Sequence, residues 1–180
     1  MFELNSATLS GCWEILPKIL KDNRGFFVKT YHHDFFEKNG LETNFREEYY
    51  SLSYRGVIRG LHFQLPPHDH TKVVYCIHGK VTDVVVDLRK SSPTYGQFSL
   101  FDLNADKGNM VYIPSGLAHG FEVLTESALM MYKVSTVYNP DSDTGILWNS
   151  VGMHWQAENP IISDRDQNFQ PLSDFRSPFV

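Results

Sequence analysis

The sequence predicts an all-β domain, a sandwich or barrel built from short strands. Two observations carry that prediction. From Val73 onward, extended apolar runs of strand length recur, each bounded by Gly, Pro, Asn or Asp. Several short strands at such spacing belong to sandwiches and barrels. Within one run the pattern is strictly two-residue: Thr82, Val84, Val86 and Leu88 alternate with Val81, Asp83, Val85 and Asp87. That period places alternate side chains on opposite faces of a strand.

The elements follow in order. HHDFFEKNGL (32–41) reads as a short helix closed by Gly40. Gly56–Lys72, GVIRGLHFQLPPHDHTK, reads as strand and turn and concentrates three histidines, an arginine and a lysine. VVYCIHG is followed at once by KVTDVVVDLRK; SSPTYG is a turn; QFSLFDL, NMVYI, GFEVL and ALMMYKVSTVY are further strands. If the last of these is one strand, Tyr132 and Tyr138 share a face, with the small Val134 and Thr136 between them leaving room for a ligand. The tail 155–180 holds three prolines and little periodicity, and reads as an arm with a turn of helix.

The totals set limits. At 180 residues the chain forms a single domain, 1–180, with 155–180 as a C-terminal arm. Apolar residues at 42% permit a full core, and no apolar run reaches membrane-spanning length. A net charge of −5 argues against a general nucleic-acid binder, while leaving room for a local basic site for one phosphorylated molecule. The start shows no charged leader before a long apolar block, so no signal peptide is expected. Cys12 and Cys76 lie far apart, Cys76 within an apolar run, which suits free buried thiols in a reducing cytoplasm.

GNMVYIPSGLAHGFEV (108–123) is the first informative motif. Gly108, Pro114, Gly116 and His119 resemble the second conserved motif of cupins, jelly-roll β-barrels in which Pro and Gly turn the chain and the histidine points into the barrel mouth. Metal-binding cupins supply His-x-His and then a glutamate. His68-Asp69-His70 imitates the start, but Val74 and Tyr75 stand where the glutamate belongs. His68 and His70 also follow Pro66-Pro67 and read as loop. No metal is therefore expected, and these two histidines receive no role.

A wider resemblance follows. GVIRGLHFQLPP, DVVVDLRKSSPTYG, IPSGLAHGFEVL and YKVSTVYNP, with DNRGFF near residue 22 and ISDRD near residue 164, together resemble the dTDP-4-dehydrorhamnose 3,5-epimerase family, collinearly and over most of the chain. The resemblance implies a cupin-type jelly-roll β-barrel with short peripheral helices, a homodimer whose N-terminal segment reaches the partner subunit, and no metal or diffusible cofactor. It implies an isomerase acting on a nucleotide-linked 4-keto-6-deoxyhexose at C3, with C5 open, in cytoplasmic deoxysugar supply for a surface polysaccharide. That chemistry needs a base, an acid on the other face and a holder for the enolate oxygen. By resemblance His62 is the base, Asp166 its partner, Tyr132 the acid and Lys72 the cation near the keto oxygen. Arg59, His119 and Tyr138 line the sugar-diphosphate site.

Two segments depart from the family pattern. Arg24-Gly25-Phe26-Phe27-Val28-Lys29 ends in lysine where many members have glutamate, and Glu47-Glu48-Tyr49 replaces Gln-Asp-Asn. Arg24, Phe27, Lys29, Glu47 and Tyr49 thus enter as substrate-binding residues of altered chemistry, which leaves dTDP, CDP or GDP open as the nucleotide. The rival readings are a metal-dependent cupin enzyme and a non-catalytic sugar-binding cupin.

Overall fold

The two-residue alternation is realised as strands in a computed structural model that describes residues 2–180. The strands are β1 (Phe2–Ser6), β2 (Trp13–Pro17), β3 (Ile19–Asp22), β4 (Gly25–Val28), β5 (Glu47–Tyr54), β6 (Ile58–Gln64), β7 (Lys72–His78), β8 (Lys80–Asp87), β9 (Phe98–Asn104), β10 (Met110–Ile113), β11 (Leu117–Val123), β12 (Ser127–Val134) and β13 (Asp143–Gly145). Helix α1 (His33–Lys38) precedes β5, and α2 (Asp164–Gln167) lies in the C-terminal arm. Strands β1-β2-β10-β7-β12-β5 form a six-stranded sheet, β13-β6-β11-β8-β9 a five-stranded sheet, and β3-β4 a separate ribbon. The all-β jelly-roll expectation holds. Neither helix among the described residues is long and apolar enough to cross a membrane.

Burial explains the layering. The two sheets enclose an interior that includes Val74, Cys76, Val85, Phe121, Met130 and Tyr132. The far side of β8 and β11 is not solvated: Val84, Val86 and Ala118 pack with Trp155 and Phe179 of the arm. This is why β11 is buried at every residue, whereas β12 alternates between partly and fully buried positions. On the six-stranded sheet, Val73, Tyr75 and Met110 pack under Phe36 of α1. A six-residue helix is too short to persist alone. Burying Phe36 fully is worth about 2 kcal/mol and offsets part of that deficit. Cys12 and Cys76 are free and buried, as the sequence indicates.

Two expectations need adjustment. The first five strands escape the sequence pattern. Also, ALMMYKVSTVY is not one strand: β12 ends at Val134, and Thr136 is bonded to the loop at His68 and His70. Tyr138 therefore does not share a strand face with Tyr132.

Where β6 passes β11, the register shifts between His119 and Phe121. Gly60 there has φ +138°, and a Cβ on it would lie 2.7 Å from the Gly120 Cα. Both the backbone region and the close approach demand glycine. Gly60→Ala is expected to cost roughly 2–3 kcal/mol, seen as a melting temperature lowered by about 5–10 °C. An unchanged melting curve would show that the two strands can move apart freely.

Candidate active site

The register that glycine permits sets His62 directly opposite His119 on neighbouring strands. Alternation along β6 and β11 then turns both rings to one side. They line a cavity of about 440 Å³ between the sheets, together with Arg59, Lys72, Tyr49, Tyr132 and Tyr138. His62 belongs to the five-stranded sheet and Tyr132, on β12, to the six-stranded sheet. The two side chains thus stand on opposite walls.

Each histidine is held by its own carboxylate. His62 Nε2 lies 2.8 Å from Asp166 Oδ1, and its Nδ1 makes no hydrogen bond among the described residues. Asp166 is delivered by α2, whose N-terminus is capped by the Ser163 side chain accepting from the Asp166 N–H. The Gly60 N–H donates to Asp166 Oδ2 at 3.1 Å. Burial pushes the Asp166 carboxyl up, but the His62 ring, the Gly60 N–H and the Ser163 hydroxyl outweigh it, and the net shift is below the ordinary carboxylate range. The second pair is His119 Nε2 and Asp83 Oδ2, 2.7 Å apart and fully buried. Burial raises the Asp83 carboxyl against the pull of His119. Among the described residues Asp83 Oδ1 has no hydrogen-bond partner.

The opposite wall carries the hydroxyl. Tyr132 stacks on Tyr49, its cross-strand partner, with centroids 4.9 Å apart. Its OH lies 3.1 Å from Ser51 Oγ. Burial pushes the phenol above its ordinary value, against the Ser51 hydrogen bond, so it stays an O–H at working pH. Lys72 is buried and its Nζ donates to the His62 carbonyl at 3.2 Å. Burial drives the ammonium down to about 8, although Asp143 and Asp83 pull it up.

Of the residues expected at the site, His62, Lys72, Tyr132, Arg59, His119, Tyr49, Glu47 and Tyr138 line the cavity, and Asp166 stands behind His62. Tyr138 reaches it from a loop, its N–H bonded to Glu47 Oε2 at 2.8 Å. Arg24, Phe27 and Lys29 are not on this cavity. They lie on and just beyond the β3-β4 ribbon, where Phe26 and Phe27 are 61% and 60% exposed. Sequence reasoning gives no part in the site to Ser51, Gln64, His70, Asp83, Asp143 and Arg165, of which all but Asp83 line the cavity. Asp83 left a signal, a charge that breaks the valine run of β8. Among the described residues no three His, Cys, Asp or Glu side chains converge as a metal site would require.

Residues 6–174 match the family described as dTDP-4-dehydrorhamnose 3,5-epimerase. The chain is 42% identical over 161 residues to the enzyme of that name from Shigella flexneri, covering 88% of this chain and 89% of that one. It is 39% identical to the Methanothermobacter thermautotrophicus enzyme of the same name, over 95% of both. Its fold superposes on a 3,5-epimerase from Legionella pneumophila in complex with dTDP-4-keto-L-rhamnose, with a TM-score of 0.93, 32% identity, and coverage of 98% and 95%.

Lys72 gives a stability test. Its folded pKa of about 8 lies below the ordinary lysine value of 10.5, so the native state binds fewer protons between those values. Its ionisation therefore opposes folding fully below pH ~8, and that opposition fades as pH rises toward ~10.5. Lys72→Met should unfold with about 2–3 kcal/mol more difficulty at pH 7, with the gain shrinking at pH 10. Denaturant unfolding at the two pH values measures it; a variant less stable at pH 7 would mean that the ammonium is compensated.

Proposed function

The chain belongs to the dTDP-4-dehydrorhamnose 3,5-epimerase family, a family of isomerases, and from that premise we propose that it inverts C3 and C5 of a dTDP-linked 4-keto-6-deoxyhexose. The observation that carries this is the placement of the His62–Asp166 pair and the Tyr132 hydroxyl on opposite walls of one cavity. Inversion needs a base and an acid on opposite faces of the sugar; binding alone does not.

His62 takes the proton from the carbon beside the ketone through Nδ1, because Nε2 is engaged by Asp166. Asp166 fixes the tautomer and stabilises the imidazolium that forms. The electron pair moves to the carbonyl oxygen, whose charge meets the Lys72 ammonium. Tyr132 then gives its proton to the other face of the carbon. The tyrosinate recovers a proton and the imidazolium loses one to solvent, so no net proton is gained or lost. Arg59, with Nε donating to Ser53 Oγ at 2.8 Å, and His119 receive the sugar diphosphate. Tyr138, Glu47 and Tyr49 at the mouth contact the nucleotide.

The exposed β3-β4 ribbon, carrying Arg24 and Phe27 with Lys29 just beyond it, completes the site of a second copy in a homodimer. The product supplies a deoxysugar for a surface polysaccharide, made in the cytoplasm. Both curated relatives cited above are named as dTDP-4-dehydrorhamnose 3,5-epimerases, which favours dTDP over CDP or GDP and double over single inversion.

Incubation with dTDP-, CDP- and GDP-4-keto-6-deoxyglucose in D2O tests the whole reading. Deuterium should enter C3 and C5 of the dTDP sugar; incorporation at C3 alone would restrict the chain to single inversion. His62→Ala should lose solvent exchange by two to four orders of magnitude, and survival above about a tenth of wild type would remove it as base. Tyr132→Phe keeps the ring but not the donor. Exchange should persist in some measure while inversion collapses; an equal loss of both would assign Tyr132 to enolate formation instead.

A further inference from the structure

The Tyr132 hydroxyl has a companion that the chemistry above leaves idle. Along β5 the two-residue period turns Tyr49, Ser51 and Ser53 to one face. Tyr49 stands opposite Tyr132 on β12 and Ser51 opposite Met130, so Ser51 is the diagonal neighbour of Tyr132. A long aromatic side chain spans such a diagonal, and Tyr132 Oη lies 3.1 Å from Ser51 Oγ. Among the described residues neither oxygen has another hydrogen-bond partner. The two cations nearby in the cavity are engaged elsewhere. Arg59 gives Nε to Ser53 Oγ at 2.8 Å, and Lys72 gives Nζ to the His62 carbonyl at 3.2 Å. Ser51 itself lines the cavity beside Tyr132.

At rest either hydroxyl can be the donor. Proton transfer removes that freedom. A phenol that points its hydrogen at Ser51 cannot give it to a carbon in the cavity. The transferring arrangement therefore has the Tyr132 proton turned to the substrate and the Ser51 proton turned to Tyr132 Oη. Once the phenol has lost its proton, its oxygen can only accept. Tyr132 is 7% exposed, and an anion without a donor in so dry a place is costly. The Ser51 bond becomes charge-assisted as negative charge grows on Oη, and such bonds are about twice as strong as neutral ones. It is thus stronger in the transition state than before it, which is the condition for lowering a barrier.

We infer that Ser51 is a catalytic residue of the inversion: its Oγ–H donates to Tyr132 Oη as that oxygen gives up its proton, and holds the phenolate until solvent returns one. The inference rests on the functional reading above, in which Tyr132 is the acid. In the step itself the new C–H bond forms from the enolate's electron pair and the carbonyl is restored. The pair of the broken O–H bond stays on Tyr132 Oη. Ser51 keeps its own proton throughout.

Two rates in D2O separate this role from a purely structural one. With dTDP-4-keto-6-deoxyglucose, deuterium entering C3 of the recovered substrate needs His62 alone, while inverted product needs Tyr132 as well. Ser51→Ala should lower kcat for inversion roughly 10- to 100-fold, as for the loss of a hydrogen bond to a charged group. Exchange into recovered substrate should stay within about threefold of wild type and KM within about twofold, because the bond is made strong only in the transition state. Ser51→Thr restores the hydroxyl and should recover most of the inversion. Thermal unfolding and calorimetric binding of dTDP check that both variants keep the folded cavity. Undiminished inversion in Ser51→Ala overturns the inference. So does an equal fall of exchange and inversion, which is the mark of a disturbed cavity, or a threonine variant no better than the alanine one. Wild-type protein that shows neither exchange nor inversion would sink the functional reading, and this inference with it.

Discussion

The site depends on one carboxylate. Asp166 is bonded to His62, to the Gly60 N–H of β6, and through its own N–H to the cap of α2. It belongs to an arm that would otherwise be peripheral. The arm is fastened just upstream, where Ile161 exchanges backbone hydrogen bonds with Gly56 and Ile58, and at its end, where Phe179 packs under the five-stranded sheet. Between these anchors Arg165 pairs with Asp143 at 2.8 Å and lies over Phe169, whose ring meets His62 edge-on. Folding of the arm and orientation of His62 are therefore one event. A charge-assisted bond to a buried carboxylate is worth more than a neutral one, which is what a four-residue helix needs in order to hold its place.

That contact requires the strand to come close, and glycine supplies the closeness three times. Gly60 and Gly120 let β6 and β11 approach until a Cβ on either would strike the other strand, and Gly145 on β13 leaves the space that the Phe169 ring fills. The same approach sets His62 opposite His119, so two histidine–carboxylate pairs stand side by side. Their surroundings differ. Asp166 receives a backbone N–H on its second oxygen, and Asp83 receives nothing on its own. In the first pair both carboxylate oxygens are bonded and the carboxyl is lowered; the second is buried with an open lone pair and its carboxyl is raised. The difference between the two aspartates lies in one hydrogen bond and in depth.

How much of this was legible in the residues follows from what each signal depends on. Strands from β7 onward show themselves because their apolar runs are bounded by turn residues. The strands β1 to β5 are short or carry charge, and most positions of β4 and β5 are exposed, so no hydrophobic period marks them. His62, Asp166, Tyr132 and Lys72 were found through motif resemblance, since nothing in the spacing of residues 62 and 166 says that they touch. Ser51 and Gln64 gained their places by tertiary packing, which single-strand parity does not report. His70 shows the limit clearly: Pro66-Pro67 rightly signals a loop, but a loop position says nothing of which cavity the loop borders. Tyr138 errs the other way, since it reaches the expected cavity by a different path from the one that parity predicts.

Burial moves two groups of the six-stranded wall in opposite senses. It holds the Tyr132 phenol in its protonated form, as the proposed donor requires. It brings the Lys72 ammonium to the edge of losing its proton, at about 8. A negative charge about 4 Å away in such a setting is worth about 4 kcal/mol at an effective dielectric near 20. In the proposed reaction, an enolate oxygen forming beside Lys72 would restore the charge that burial has weakened. The stabilisation is largest at the moment the oxygen becomes negative and smaller while it is a neutral ketone, which is the differential that lowers a barrier instead of only tightening binding. A solvated lysine in the same place would be fully charged from the start and would gain far less from the reaction.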